Sequence, residues 1–275
     1  MSAARRLAAA ALVLLGLLRA APARAERDPL RYDLTRDLTL TLSAAAFWGG
    51  TEAFKSHLAP TTCRICGTNA LDAWARDRLL WSGPERARTA SDVLAFAALP
   101  AGVVAHSLLA ARAGGDPARE GLVDLLVIAE AATLAGSLGQ VVKLAAGRQR
   151  PFVHYGNFLE ANRAPDPDDN LSFWSGHSSL TFSLAVGAGT VASLRGDRSA
   201  PWVWGVGLTA AAATGWLRIA GDKHYLTDVL TGAAIGSLAG WAVPYLLHRR
   251  EDGPPAPGAA RVAVTPLPLG VVVVF

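Results

Sequence analysis

Five apolar stretches, at about residues 91–112, 120–142, 178–194, 202–218 and 228–247, constrain this chain more than any other feature. Each runs to about 17–23 residues, close to the length that carries a helix across a bilayer core. None alternates apolar and polar residues with period two, so helices rather than strands follow. Small residues recur inside them, as in Gly187-Ala188-Gly189-Thr190, Ala210 to Thr214 and Gly232 to Gly236. Such residues let membrane helices approach closely. Only 17% of the chain is charged, where soluble domains carry about a quarter. The net charge of +4 comes without any lysine- or arginine-rich block, which argues against a nucleic-acid partner. The predicted fold is an all-α membrane bundle of about five or six spans.

The segments outside this block, 91–248, divide as follows. Residues 1–25 read as a secretory signal: Arg5 and Arg6, an apolar run from Leu7 to Leu18, then Ala23-Arg24-Ala25 as a cleavage pattern. An uncleaved anchor helix fits the same run. Residues 26–90 read as an extracytoplasmic or interfacial region of short helices. It contains Cys63 and Cys66, for which a disulfide pinning 58–90 is the favoured reading. A redox pair lacks a surrounding βαβ pattern, and a zinc site lacks two further ligands. Residues 249–275 form a Pro/Gly-rich tail. Arg112, Arg119, Arg195, Arg198, Arg249 and Arg250 flank the spans on one side. With an external N-terminus they fall in the cytoplasm, as the positive-inside rule favours. A crossing by Leu38 to Phe54 reverses that sidedness.

Three polar clusters interrupt the apolar pattern, all at one end of the expected bundle. Lys143 and Arg150 stand seven residues apart, two helical turns, before Pro151 stops the helix. Fixed cations of this kind hold phosphate oxygens, arginine two at a time. Ser175-Gly176-His177 opens the next apolar helix, where free backbone N–H groups and the helix dipole attract anions. His177 is placed to give a proton to a leaving oxygen. In the third cluster, His224 and Asp228 are i and i+4, so a carboxylate orients an imidazole. Arg218 adds a further cation. Taken singly, these are also what membrane-boundary charges, a helix cap and a helix-end ion pair look like.

Together they resemble the type 2 phosphatidic acid phosphatases (PAP2), a superfamily shared with vanadium haloperoxidases and bacterial class A acid phosphatases. The family pattern is Lys-x6-Arg-Pro, then Pro-Ser-Gly-His, then Ser-Arg-x5-His-x3-Asp. This chain has Lys143 with Arg150-Pro151, then Ser175-Gly176-His177, then Arg218, His224 and Asp228. Trp174 replaces the usual proline and Leu217 the usual serine. The resemblance covers about residues 91–247. It implies that Lys143, Arg150, Arg218, the Ser175 hydroxyl and the Gly176 N–H hold a phosphoryl group. It implies His224 as nucleophile, Asp228 as its orienting partner and His177 as general acid and base. No metal ion and no cofactor are implied.

The implied substrate is a lipid phosphate monoester or pyrophosphate, met at the periplasmic face of a bacterial inner membrane. A soluble periplasmic acid phosphatase and a vanadium haloperoxidase share the same residues and stay open at this point. Arg148, beside the site, is a candidate for a second phosphate. Glu130, near the middle of an expected span, calls for a partner inside the bundle.

Overall fold

The computed structural model describes residues 27–156 and 164–250, with the backbone of 263–267 and 270–274. The predicted signal at 1–25 and most of the tail lie outside the described residues. Asp33 opens α1 (Leu34–Ala53) by accepting a hydrogen bond from the Arg36 N–H. Two short helices follow, α2 (Lys55–Leu58) and α3 (Ala70–Leu79). The long α4 (Pro84–Ala113) contains a π-helical turn at Leu94–Ala98. It leads through a short turn into α5 (Pro117–Ala146), which starts on Asp116 and ends on Gly147 in the left-handed region, φ 52°. Thirty residues give α5 a length of about 45 Å. After α6 (Pro151–His154) come α7 (Gly176–Leu194), α8 (Ala200–Ala220) and α9 (Leu226–Leu247). An antiparallel hairpin of β1 (Ala263–Leu267) and β2 (Gly270–Val274) pairs Ala263 with Val274.

The fold is an all-α bundle with α7 at its centre, packed against α9, α8 and α5. All five expected helices form. By length and apolar composition α4, α5 and α9 are each able to cross a membrane. The α7–α9 seam is lined by Gly232, Gly236 and Gly240, which lie against the Ser175, Ser179 and Ser183 carbonyls. A Cβ at Gly236 would collide with the Ser179 carbonyl, so only glycine permits this approach. The apolar core, including Val103, Val127, Ile128, Leu184 and Val191, joins α4, α5 and α7.

The region 26–90 differs from expectation. Instead of only short interfacial helices it supplies α1, a 20-residue member of the bundle. Ser137 of α5 donates to the Ala44 carbonyl, and Gln140 of α5 donates to Glu52. Asp37 lies beside Glu130. These pairings advance together along both helices, so α1 runs parallel to α5. Its outward face carries exposed Leu38, Leu42 and Phe47, an apolar surface fit for lipid. The short-range pattern misled because α1 mixes Thr, Arg and Asp into its first turns.

The end of the bundle where α1 and α5 begin is tied by buried ions. Arg27 pairs with Asp124 at 2.8 Å, Asp197 at 2.7 Å and Glu120 at 3.2 Å. Arg195 joins Asp124 at 2.7 Å. Glu130 has the partner the sequence called for: His248 Nε2 lies 3.3 Å away. The opposite end gathers the termini of α5, α7, α8 and α9, and with them the three polar clusters.

Candidate active site

A cavity of about 640 Å³ opens at that end, lined by Lys143, Arg150, Arg218, Gly176, His177 and His224. Residues 75 positions apart in the chain thus share one chamber because four helix ends meet there. Arg150 is anchored on its outer side: Nε donates to the Asp168 carbonyl at 2.7 Å and Nη1 to the Lys223 carbonyl at 3.0 Å. Arg218 donates to the Ser91 hydroxyl at 3.0 Å and to Asp92 at 3.2 Å. Lys143 reaches over the start of α7. A Cβ on Gly176 would stand 2.9 Å from its Nζ, so the glycine lets the ammonium lie against the helix N-terminus. Three cations converge there, with Glu52 and Asp168 also in the lining, and their convergence is suited to a multiply charged anion.

His224 is 2% exposed. Its Nδ1 lies 2.8 Å from the Ser172 carbonyl, which only accepts, so Nδ1 carries the proton. The lone pair then resides on Nε2, which faces Arg150 Nη1 at 3.3 Å and the cavity. Burial, then the charges of Arg150, Arg218 and Lys143, push the imidazole well below its usual range. It is therefore neutral at pH 7 and able to attack an electrophile.

Asp228 stands one step further from His224 than the i, i+4 spacing predicts. Its Oδ2 is 3.7 Å from His224 Nδ1, outside hydrogen-bond reach. That oxygen instead accepts from the Ser172 hydroxyl at 2.6 Å and the Tyr225 N–H at 3.0 Å. Asp228 thus fixes Ser172, and Ser172 fixes the imidazole. Its charge remains close enough to favour a cationic ring. The other carboxylate oxygen is 2.5 Å from Arg148.

Two expectations are corrected here. Arg148 points into the supporting layer rather than the cavity. Asp72 at 2.7 Å, Asp228 and Thr227 at 2.8 Å take its guanidinium, leaving it no reach to a second phosphate. Ser175 is fully buried and caps α7, its Oγ accepting from Ser178 N at 3.4 Å and Ser178 Oγ at 3.0 Å. It shapes the loop without offering its hydroxyl to the cavity.

The two departures from the family pattern find local accommodation. Trp174 is buried, with its ring against Gly139 of α5, where a Cβ would meet the indole at 3.2 Å. Leu217 packs with Ala87 and Ala220 against α4.

Sequence reasoning missed Asp92, Asp168, Lys55 and Asp72. Asp92 lies 2.7 Å from His177 Nε2 and is shared with Arg218. A carboxylate at the mouth of an apolar helix was the available signal, of the kind that drew attention to Glu130. Asp168 pairs with Lys55 at 3.0 Å at the cavity rim. Burial pushes its carboxyl up, but the charges of Arg150 and Lys55 outweigh this and hold it down to about 2. Nothing in their own surroundings singles out Lys55, Asp168 or Asp72. The cavity also has an apolar side, formed by Ala45 and Trp48 of α1, Phe96 of α4 and Leu180 of α7.

Residues 124–252 match the family model of the PAP2 superfamily. The lipid A 1-phosphatase of Porphyromonas gingivalis is 35% identical over 89 residues, which cover 32% of this chain and 19% of that protein. The crystal structure of a transmembrane PAP2 type phosphatidylglycerolphosphate phosphatase from Bacillus subtilis is 19% identical. It covers 76% of this chain and 94% of its own, with a TM-score of 0.46.

The His177 environment yields a pH prediction. Burial pushes its imidazole down to about 4, with Arg218 and Lys143 adding to the fall and Asp92 opposing it. A step that needs protonated His177 weakens as pH rises through that value. Asp92→Asn removes the opposing pull, so the basic limb of kcat/KM moves to lower pH than in the wild type. A pH–rate series on both proteins with one soluble phosphoester checks this; coincident limbs contradict it.

Proposed function

From the match of residues 124–252 to the PAP2 superfamily model and from the site they carry, we infer that the chain is a PAP2-type enzyme that hydrolyses a lipid phosphate monoester or pyrophosphate through a phosphohistidine. The observation that carries the reading is the neutral, buried His224, whose unprotonated Nε2 lies beside Arg150 in a cavity framed by three cations. Lys143, Arg150 and Arg218 hold the phosphoryl oxygens, with the Gly176 N–H. Nε2 forms a bond to phosphorus as the opposite oxygen departs. His177 gives that oxygen its proton, then takes one from water, which attacks phosphorus and frees His224. Positioning and charge stabilisation are the chief needs of phosphoryl transfer. Here the three side-chain cations supply the charge.

A bound phosphate places negative charge beside His177, offsetting Arg218 and Lys143. Its affinity for a proton therefore rises in the complex, which suits the acid role. The apolar side formed by Trp48, Phe96 and Leu180 favours a substrate with a hydrocarbon chain next to its phosphate. The membrane-length helices α4, α5 and α9 bring the cavity to a bilayer.

The expected test is phosphate release in detergent, with chelator present, from a panel of lipid phosphates. The wild type releases phosphate and His224→Ala loses at least roughly 1000-fold in kcat/KM. Equal release by both proteins would remove His224 from the chemistry.

Our reading of sidedness starts from α1. It carries the chain from the far end to the site end, so Arg27 and the cavity lie at opposite ends. If α1 crosses with α5, a leader cleaved outside at Ala25 and a cavity facing outside exclude one another. Charge favours the outward cavity: Arg31, Arg112, Arg119, Arg198, Arg249 and Arg250 are exposed at the far end, the pattern of a cytoplasmic face. We place the cavity at the periplasmic face of an inner membrane. Thiol labelling of whole cells then modifies Thr61→Cys and leaves Arg250→Cys untouched; the reverse pattern would invert the assignment.

A further inference from the structure

The loop closed by the Cys63–Cys66 disulfide sits on the turn that joins two of the three cations. Lys143 lies in the last turn of α5 and Arg150 just beyond it, with Gly147 between them. A helix end leaves its last carbonyls without partners inside the helix. Here the loop takes them. Arg64 Nη1 donates to the Ala145 carbonyl at 2.6 Å and to Leu144 at 3.3 Å. The Arg64 N–H donates to the Gly147 carbonyl at 2.9 Å, and the Gln149 N–H returns a bond to Ile65 at 3.0 Å. Ile65 and Arg148 thereby form a short parallel bridge. On the other flank, Asn170 donates to the Pro60 carbonyl at 2.9 Å.

These contacts fix the chain on both sides of Gly147, and none of the loop residues lines the cavity. The Arg64 charge also stands at the negative end of the α5 dipole, where a cation is favoured. Cys66 and Arg64 are exposed, so reagents reach the loop.

Resting on the phosphatase reading above, we propose that the 63–66 loop is a clip that positions Lys143 and Arg150 on the phosphoryl group, with Arg64 as its positioning residue. Phosphate affinity and turnover then depend on the disulfide. A dithiol opens the clip by giving up two electrons and two protons. The Cys63–Cys66 bond breaks, both sulfurs become thiols, and the reductant closes to its own disulfide. The freed loop no longer holds Arg64 and Ile65 against the turn. Because placement by about 1 Å controls such a site, the loss is felt first in binding of the anion.

The test uses the full chain in detergent, oxidised or treated with dithiothreitol, beside Cys63→Ser/Cys66→Ser, Arg64→Ala and Arg64→Lys. Inorganic phosphate is the probe. Its dissociation constant, hydrogen exchange at the Gln149 amide and the thermal midpoint are measured on each. The clip predicts that reduction weakens phosphate binding by about tenfold and speeds Gln149 exchange, while the thermal midpoint holds. The double serine variant matches the reduced protein and ignores the reductant. Arg64→Ala follows it, and Arg64→Lys keeps most of the affinity. Unchanged affinity and exchange on reduction would overturn the proposal. A fall in affinity only in step with the thermal midpoint would also overturn it, since the loop would then be a plain staple. Normal phosphate responses without hydrolysis of any substrate would count against the phosphatase reading and leave the clip supported.

Discussion

Three cations that repel one another are held in one cavity, and much of the molecule exists to keep them there. Lys143 and Arg150 flank the end of α5 and Arg218 stands near the end of α8, so no local turn could bring all three together. Arg150 and Arg218 are each tied on the side away from the cavity, to carbonyls, a serine and Asp92. Their remaining charge faces inward. Burial first, and then the field of these cations, keep His224 neutral. On the proposed mechanism, the cations that bind the anion thus also help to prepare the group that attacks it.

Around this cavity lies a layer whose task is placement. Ser172 links Asp228 to the imidazole, and Arg148 links Asp228 to Asp72. The α3 helix, which supplies Asp72, is thereby coupled to the start of α9 through Thr227 as well. At the far end Arg27, Asp124, Arg195 and Asp197 close the bundle with paired charge. Between the two ends the glycine seam of α9 brings the backbone of α7 close. That closeness sets where Ser175, Gly176 and His177 emerge.

The sequence disclosed the helices and the cationic and imidazole part of the cavity lining, because both are written in short-range spacing. Apolar length marked the spans, and the intervals between Lys143 and Arg150 and between Arg218 and His224 marked residues that share the cavity. What it hid depends on approach in space. Asp92 meets His177 across 85 positions, and Lys55 meets Asp168 from a different helix. The i, i+4 interval of His224 and Asp228 suggested direct contact, yet the loop before α7 inserts Ser172 between them. Arg148 looked free because its two buried acid partners, Asp72 and Asp228, are contributed by α3 and α9. In α1, polar residues in the first turns masked a helix that the outward-facing leucines and Phe47 identify once its packing is known.

The account centres on a phosphorus–nitrogen bond at His224 Nε2. The most direct measurement is rapid mixing of enzyme with a phosphate substrate, quenching under alkaline conditions that preserve phosphohistidine, and peptide mass spectrometry. His177→Ala, which slows release by water, is run beside the wild type so that the intermediate accumulates. The account predicts one added phosphoryl group on the peptide containing His224, stronger in His177→Ala and absent from His224→Gln. Turnover with that peptide unmodified in both the wild type and His177→Ala, or phosphate on any other residue, would contradict it.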